Sequence, residues 1–182
     1  MKSILTVVLV LLLILPVVTC SQTDEPAKIQ IGASTGIILP LGKFKDANTG
    51  FNFSPIVSVP LSSGYIDLRM SMSIIDNSNK TTLPSYSHFG FEVYRELPIS
   101  KSLLWHFGGG AFFQTGKVDV VTSSYIVTVS ENKFGLSAII GIGAELMNND
   151  NFVCQAMLDY SIGIEGFDYT NFKPNFGFKW RL

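Results

Sequence analysis

From Lys28 to the C-terminus, apolar residues recur at every second position. A period of two is the signature of a β-strand with one apolar face, because successive side chains point to opposite sides of the sheet. The last segment is the clearest. Phe172, Pro174, Phe176, Phe178, Trp180 and Leu182 share one face, and Lys173, Asn175, Gly177, Lys179 and Arg181 share the other. The segment before it alternates Phe152, Cys154, Ala156, Leu158 and Tyr160 with Val153, Gln155, Met157, Asp159 and Ser161. Equivalent rows run through Phe134 and Ile140, Trp105 and Phe113, Phe89 and Val93, Leu68 and Ile74, Phe51 and Val59, and Ile29 and Ile37. That makes about eight strands, each near the ten residues that a tilted strand needs to cross a bilayer. No amphipathic helix interrupts them.

The connections sort by length. Residues 60–64, 97–102 and 147–150 read as short turns. Residues 43–50, 75–84, 116–132 and 163–171 read as longer loops, and within 116–132 two apolar runs extend the flanking strands as a hairpin. Short turns on one rim and long loops on the other are the layout of a membrane barrel, with both termini on the short-turn, periplasmic rim. In lipid every backbone group must be bonded internally, so such a sheet has to close. The expected fold is an all-β, about eight-stranded antiparallel up-and-down transmembrane β-barrel over residues 28–182, preceded by a cleaved signal peptide.

The signal is residues 1–20. Lys2 gives a positive start, residues 4–18 are apolar except for Thr6, and Pro16 precedes small and polar residues. This is the plan of an export signal, a little shorter than a spanning helix. Residues 21–27 read as a short polar tether on the periplasmic side. Two readings attach to Cys20. Ordinary cleavage near Ser21 is one. Lipidation is the other, since Val17-Val18-Thr19-Cys20 loosely resembles a lipobox with Thr19 where a smaller residue is usual.

Composition decides which face is inside. Only 15% of the residues are charged, and the chain carries 14 Phe and a net charge of −1. That balance implies no nucleic-acid partner. The polar face is rich in Gly, Ser, Asn and Gln instead of the Lys and Glu of a water-facing surface. Small inward residues suit a narrow barrel whose side chains fill it. The inward charges are then Lys28, Asp67, Arg69, Glu92, Glu145, Asp159, Lys173, Lys179 and Arg181, and buried charges need partners. Lys173, Lys179 and Arg181 are expected to pair with carboxylates such as Asp159 and Glu145. The Phe-rich face meets outer-membrane lipid, with Trp105 and Trp180 near the periplasmic interface.

At this point the chain resembles the small outer-membrane β-barrel family, the OmpX-like and OmpA-like barrels. The residues Asn175, Gly177, Trp180 and Leu182 resemble that family's C-terminal assembly signal, although Leu182 stands where an aromatic is usual. Gly36-Ile37-Ile38-Leu39-Pro40-Leu41-Gly42-Lys43-Phe44 is similar to the first strand and loop of Bacteroidota-type members. The resemblance implies a Gram-negative outer-membrane location and assembly by the barrel insertion machinery.

Candidate chemistry is sparse. Some lipid-modifying barrels use a His and a Ser two positions apart on the outer face. Here His88 is followed two later by Gly90 and His106 by Gly108, and both histidines fall on the inward face. Two His and two Cys make no metal-ligand spacing. Gly108-Gly109-Gly110 opens no helix, so it is no phosphate loop. The expectation is therefore a non-enzymatic barrel without cofactor or metal, structural or binding an extracellular ligand through its long loops. The alternatives are a narrow channel for small solutes, and a secreted soluble lipocalin-like binder with its apolar face inward.

Overall fold

A computed structural model describes residues 28–41, 48–76, 85–121, 126–163 and 170–182. The signal and tether of residues 1–27, Cys20 included, and the tips of the four long loops lie outside the described residues.

Eight antiparallel strands form one closed barrel in sequence order. They are β1 (Gln30–Leu41), β2 (Gly50–Pro60), β3 (Tyr65–Ile75), β4 (Ser85–Pro98), β5 (Leu103–Val121), β6 (Ile126–Asn148), β7 (Phe152–Gly163) and β8 (Thr170–Arg181). Closure is made by β8 against β1, from Gln30↔Arg181 to Leu41↔Thr170. The final residue adds a further bond, Leu182 N–H to the Ile29 carbonyl at 2.9 Å. The sheet therefore has no open edge through the membrane-crossing part, which is what an anhydrous surround demands.

The short turns are tight. Leu61 N–H donates to the Gly64 carbonyl at 3.0 Å. Gly64 has φ +73°, and a Cβ there would stand 2.0 Å from the Glu96 carbonyl oxygen. Only glycine suits that left-handed position against a neighbouring backbone.

The period-two rows resolve into an outside and an inside. Phe51, Ile74, Phe91, Phe134, Phe176 and Trp180 are each more than half exposed on the outer face. Their strand neighbours Asn52, Ser73, Glu92, Asn175 and Lys179 are buried. An apolar exterior on a closed sheet is a lipid-facing surface. This orientation removes the lipocalin-like alternative, which needs the apolar face inward. Near the short-turn rim, Phe152 lies between Phe178 (6.0 Å, stacked) and Trp180 (5.4 Å, tilted), an interfacial aromatic group on β7 and β8.

The inner face is not uniformly polar. Ile38, Ile75 and Tyr86 form a buried apolar cluster near the long-loop rim, and Phe112 stacks on His88 at 4.6 Å. Lys28, expected inward, is exposed, because β1 begins two residues later. Within residues 116–132 the two apolar runs extend the flanking strands as expected, so most of the described part is strand. β5 and β6 stay paired out to Val121↔Ile126.

Candidate functional site: the interior ion cluster and the projecting hairpin

The ionic centre is built from β3, β4, β5, β7 and β8, whose inward side chains meet across the lumen. Asp67 is its anchor. Ser58 Oγ donates to Asp67 Oδ1 at 2.5 Å, Arg69 Nη2 lies 2.9 Å from Oδ2, and Lys179 Nζ lies 3.1 and 2.9 Å from the two oxygens. Lys179 also reaches Glu96 Oε1 at 2.8 Å. All four ionic side chains are at most 2% exposed. Arg69 extends to Glu96 at 3.7 Å and Asp159 at 3.9 Å, and its guanidinium sits 4.0 Å over the Tyr94 ring. The Tyr94 hydroxyl donates to Glu92 Oε2 at 2.9 Å.

His106 lies within this group. Its Nε2 is 3.6 Å from Glu96 Oε1 and its Nδ1 is 3.5 Å from Asp159 Oδ1. Space for the ring comes from Gly143, where an added Cβ would stand 2.8 Å from Cε1 and Nε2 of His106. Above the cluster, Ser73 Oγ donates to Asn52 Oδ1 (3.0 Å) and Asn52 Nδ2 to Asn175 Oδ1 (3.3 Å). Asn175 Nδ2 donates to Asp159 Oδ2 at 3.4 Å.

Of the charges expected inside, Asp67, Arg69, Glu92, Asp159 and Lys179 meet in this cluster or at its edge. Lys173 is buried, opposite Asp159 in register, with no ion pair among the described residues. Glu145 and Arg181 stand apart at the short-turn mouth, both half-buried. Glu145 pairs with Gln155 in register, and the register slips between it and Met147, at the end of β6. Arg181 is the last residue of β8 and donates to the Asn149 carbonyl and to Asn148 Oδ1. The expected partners of the β8 lysines differ too. Lys179 takes Asp67 and Glu96 across the lumen instead of Asp159 or Glu145, because the barrel's stagger sets low β8 positions against β3 and β4.

Glu96, Tyr94 and His106 complete the cluster without having been assigned to it from sequence. The available signal was the alternation of β4, which continues His88, Gly90, Glu92, Tyr94 and Glu96 up to the turn. The residues of the expected assembly signal alternate in the same way. Asn175 and Gly177 point inward, and Trp180 and Leu182 lie on the exposed face.

The second region is the β5–β6 hairpin. β4 accompanies β5 only to Ser85↔Lys117, and β7 accompanies β6 only from Ser137↔Gly163. Beyond those points, among the described residues, the two strands have only each other. Val120, Ile126, Val127 and Val129 are between 42% and 67% exposed there. Thr128 Oγ1 donates to Asp119 Oδ1 at 2.7 Å, and Lys133 lies 3.2 Å from Glu131.

Neither histidine is placed for surface chemistry. His88 is buried beside Ser71 Oγ at 3.3 Å and against Phe112. Among the described residues, no group of three or more His, Cys, Asp or Glu side chains is arranged to hold a metal. Cys154 is half-buried on the outer face.

Fold and surface together define an eight-stranded transmembrane β-barrel of the outer-membrane type. Solved structures share it. Neisserial surface protein A superposes with a TM-score of 0.56 at 10% identity, covering 85% of this chain and 97% of that one. Ail, the attachment invasion locus protein of Yersinia pestis, gives 0.53 at 15% identity with the same coverages. Ail in complex with the heparin analogue sucrose octasulfate gives 0.52 at 16% identity, covering 85% of this chain and 97% of that one. No protein-family model and no curated protein matches the sequence. The fold is that of small barrels of the Gram-negative outer membrane, the location that its lipid-facing surface fits.

Proposed function

We propose that this chain is a small, non-catalytic outer-membrane barrel with a filled interior, which presents the β5–β6 hairpin to a protein partner outside the cell. The observation that carries the reading is the hairpin itself. Among the described residues it extends past its neighbours on both sides and exposes apolar side chains beyond the lipid-facing part of the sheet. Exposed apolar groups beyond the bilayer favour a contact surface. Its charges are mixed, Lys117 and Lys133 against Asp119 and Glu131, which favours a protein over a sulfated polyanion.

The filled interior is supported by the burial of Asp67, Lys179, His106 and Ser58, each with relative exposure of 0%. Side chains tied across the lumen oppose a channel. On the same reading, residues 1–20 are a cleaved signal, 21–27 a tether, and β8 the strand that addresses the chain to the insertion machinery. The Bacteroidota-type origin rests on residues 36–44. Intact mass of the mature protein separates plain cleavage from lipidation at Cys20, since a diacylglycerol increment appears only in the second.

The test of the hairpin is replacement of residues 119–128 by a short Gly-Ser turn in cells displaying the barrel. Binding to host-cell or matrix proteins is expected to fall at least tenfold with surface level unchanged. Undiminished binding would overturn the reading. Protease shaving of intact cells checks the topology, with cleavage expected at the long loops and not at the short turns.

A further inference from the structure

A groove of about 210 Å³ crosses the outer face of β5, β6 and β7. Phe107, Ala138, Ile140, Tyr160 and Ile162 line it. It exists because the outward row is uneven. Gly109 and Ala138 are cross-strand partners, with Phe107↔Ile140 on one side of them and Leu136 on the other. A methyl beside a missing side chain leaves a depression, which Tyr160 and Ile162 wall from β7 as the partners of Ile140 and Ala138. This face of the sheet meets hydrocarbon, so the groove is continuous with the lipid contact. At roughly 30 Å³ for each water-sized group, it takes about seven chain carbons.

A cation stands beside the groove on the same face. Arg95 on β4 is the direct cross-strand partner of Phe107. Side chains so opposed start about 5 Å apart. Arg95 continues the outward row of Phe89, Phe91 and Val93 and is half-buried. Its Nη2 donates toward the short-turn rim, to the Ser63 carbonyl at 2.5 Å and to Ser63 Oγ at 3.2 Å, and it forms no ion pair among the described residues. Glu96, the next residue, is turned into the lumen and held by Lys179. Trp105 lies two residues rimward of Phe107 and is 45% exposed, and a tryptophan on a lipid face sits at headgroup level. The guanidinium, drawn rimward to Ser63, is at that level too. An arginine facing lipid is costly at the midplane and tolerated at the interface, where its fork matches phosphate oxygens.

We propose that this outer face holds one anionic glycerophospholipid, with its phosphate at Arg95 and an acyl chain in the groove. The leaflet is the one at the short-turn rim, the periplasmic leaflet in the topology above. The site depends neither on that naming nor on the hairpin. Each half of the lipid has its own partner: the groove takes the chain, and the guanidinium takes the phosphate. A cation without a carboxylate favours a lipid of net negative charge over a zwitterionic one.

The test is an NMR titration of the refolded full-length mature barrel in nonionic micelles, observing alanine methyl groups. Diheptanoylphosphatidylglycerol is expected to shift the Ala138 methyl saturably and to leave that of Ala33, on β1, unmoved. Diheptanoylphosphatidylcholine is expected to bind about fivefold more weakly, the share of one basic residue at an anionic lipid surface. Inorganic phosphate is expected to shift neither methyl. Arg95→Gln should erase the preference for phosphatidylglycerol, with folding verified by heat-dependent gel migration. No saturable shift at Ala138 overturns the proposal. So does an equal shift at Ala33, which marks ordinary lipid contact around the whole barrel, and so does a preference that survives Arg95→Gln. Should Arg95→Gln fail to fold, equal binding of the two lipids by the unaltered protein still overturns the proposal, and the fivefold preference supports it.

Discussion

The lower lumen and the β5–β6 hairpin belong to one continuous sheet and follow opposite rules. In the lumen, Asp67 receives bonds from Ser58, Arg69 and Lys179, so a charged group with no exposure has three partners. In the hairpin, Ile126 and Val129 are at least half exposed, with β5 as the only described strand beside them. The first region spends its polar chemistry on closing the molecule. The second leaves apolar chemistry uncovered. The difference teaches where a change should act: on stability in the lumen, on contacts in the hairpin.

The sharpest way to break this contrast is Lys179→Met. It leaves Asp67 and Glu96 without their shared ammonium, and removing one partner of a buried ion pair costs about 3–5 kcal/mol. A fall in urea midpoint checks it, and an unchanged midpoint would place the cluster in water. Next comes the lipid face. Met72→Arg, on an exposed outer position of β3, should cost about 2–4 kcal/mol if it lies near the bilayer midplane. Bilayer refolding against urea reports this. Gly143→Ala is smaller. Its Cβ would meet the His106 ring, and overpacking of that kind costs about 1–3 kcal/mol. Heat-dependent gel migration at graded temperatures should show earlier unfolding. The smallest effect belongs to Val127→Thr in the hairpin, within about 0.5 kcal/mol on stability, while partner binding on cells should drop.

Much of the barrel was legible because lipid makes the pattern strict. The alternation from Phe172 to Leu182 has one apolar and one polar face, and closure then requires β8 to meet β1. The alternation alone could not reveal which charges meet. Lys173 and Asp159 are neighbours in register yet form no ion pair, whereas Lys179 joins Asp67 from a distant part of the chain. That pairing depends on stagger around the closed sheet, a property of all eight strands together. Glu145 shows a local limit, since the register slips just after it, at Met147, and nothing in Ala144-Glu145-Leu146-Met147 announces the slip. The hairpin within residues 116–132 was legible, because its two apolar runs continue the period of β5 and β6 up to Val121 and from Ile126.

The measurement that bears most directly on the division between a locked lumen and a contact hairpin is the urea midpoint of a barrel in which residues 119–128 are replaced by a short Gly-Ser turn, refolded into lipid vesicles beside the unaltered protein. The two midpoints are expected to coincide within error, with the folded band still shifting on heating. A midpoint lowered as far as that of Lys179→Met would contradict the division, because the hairpin would then be holding the barrel together.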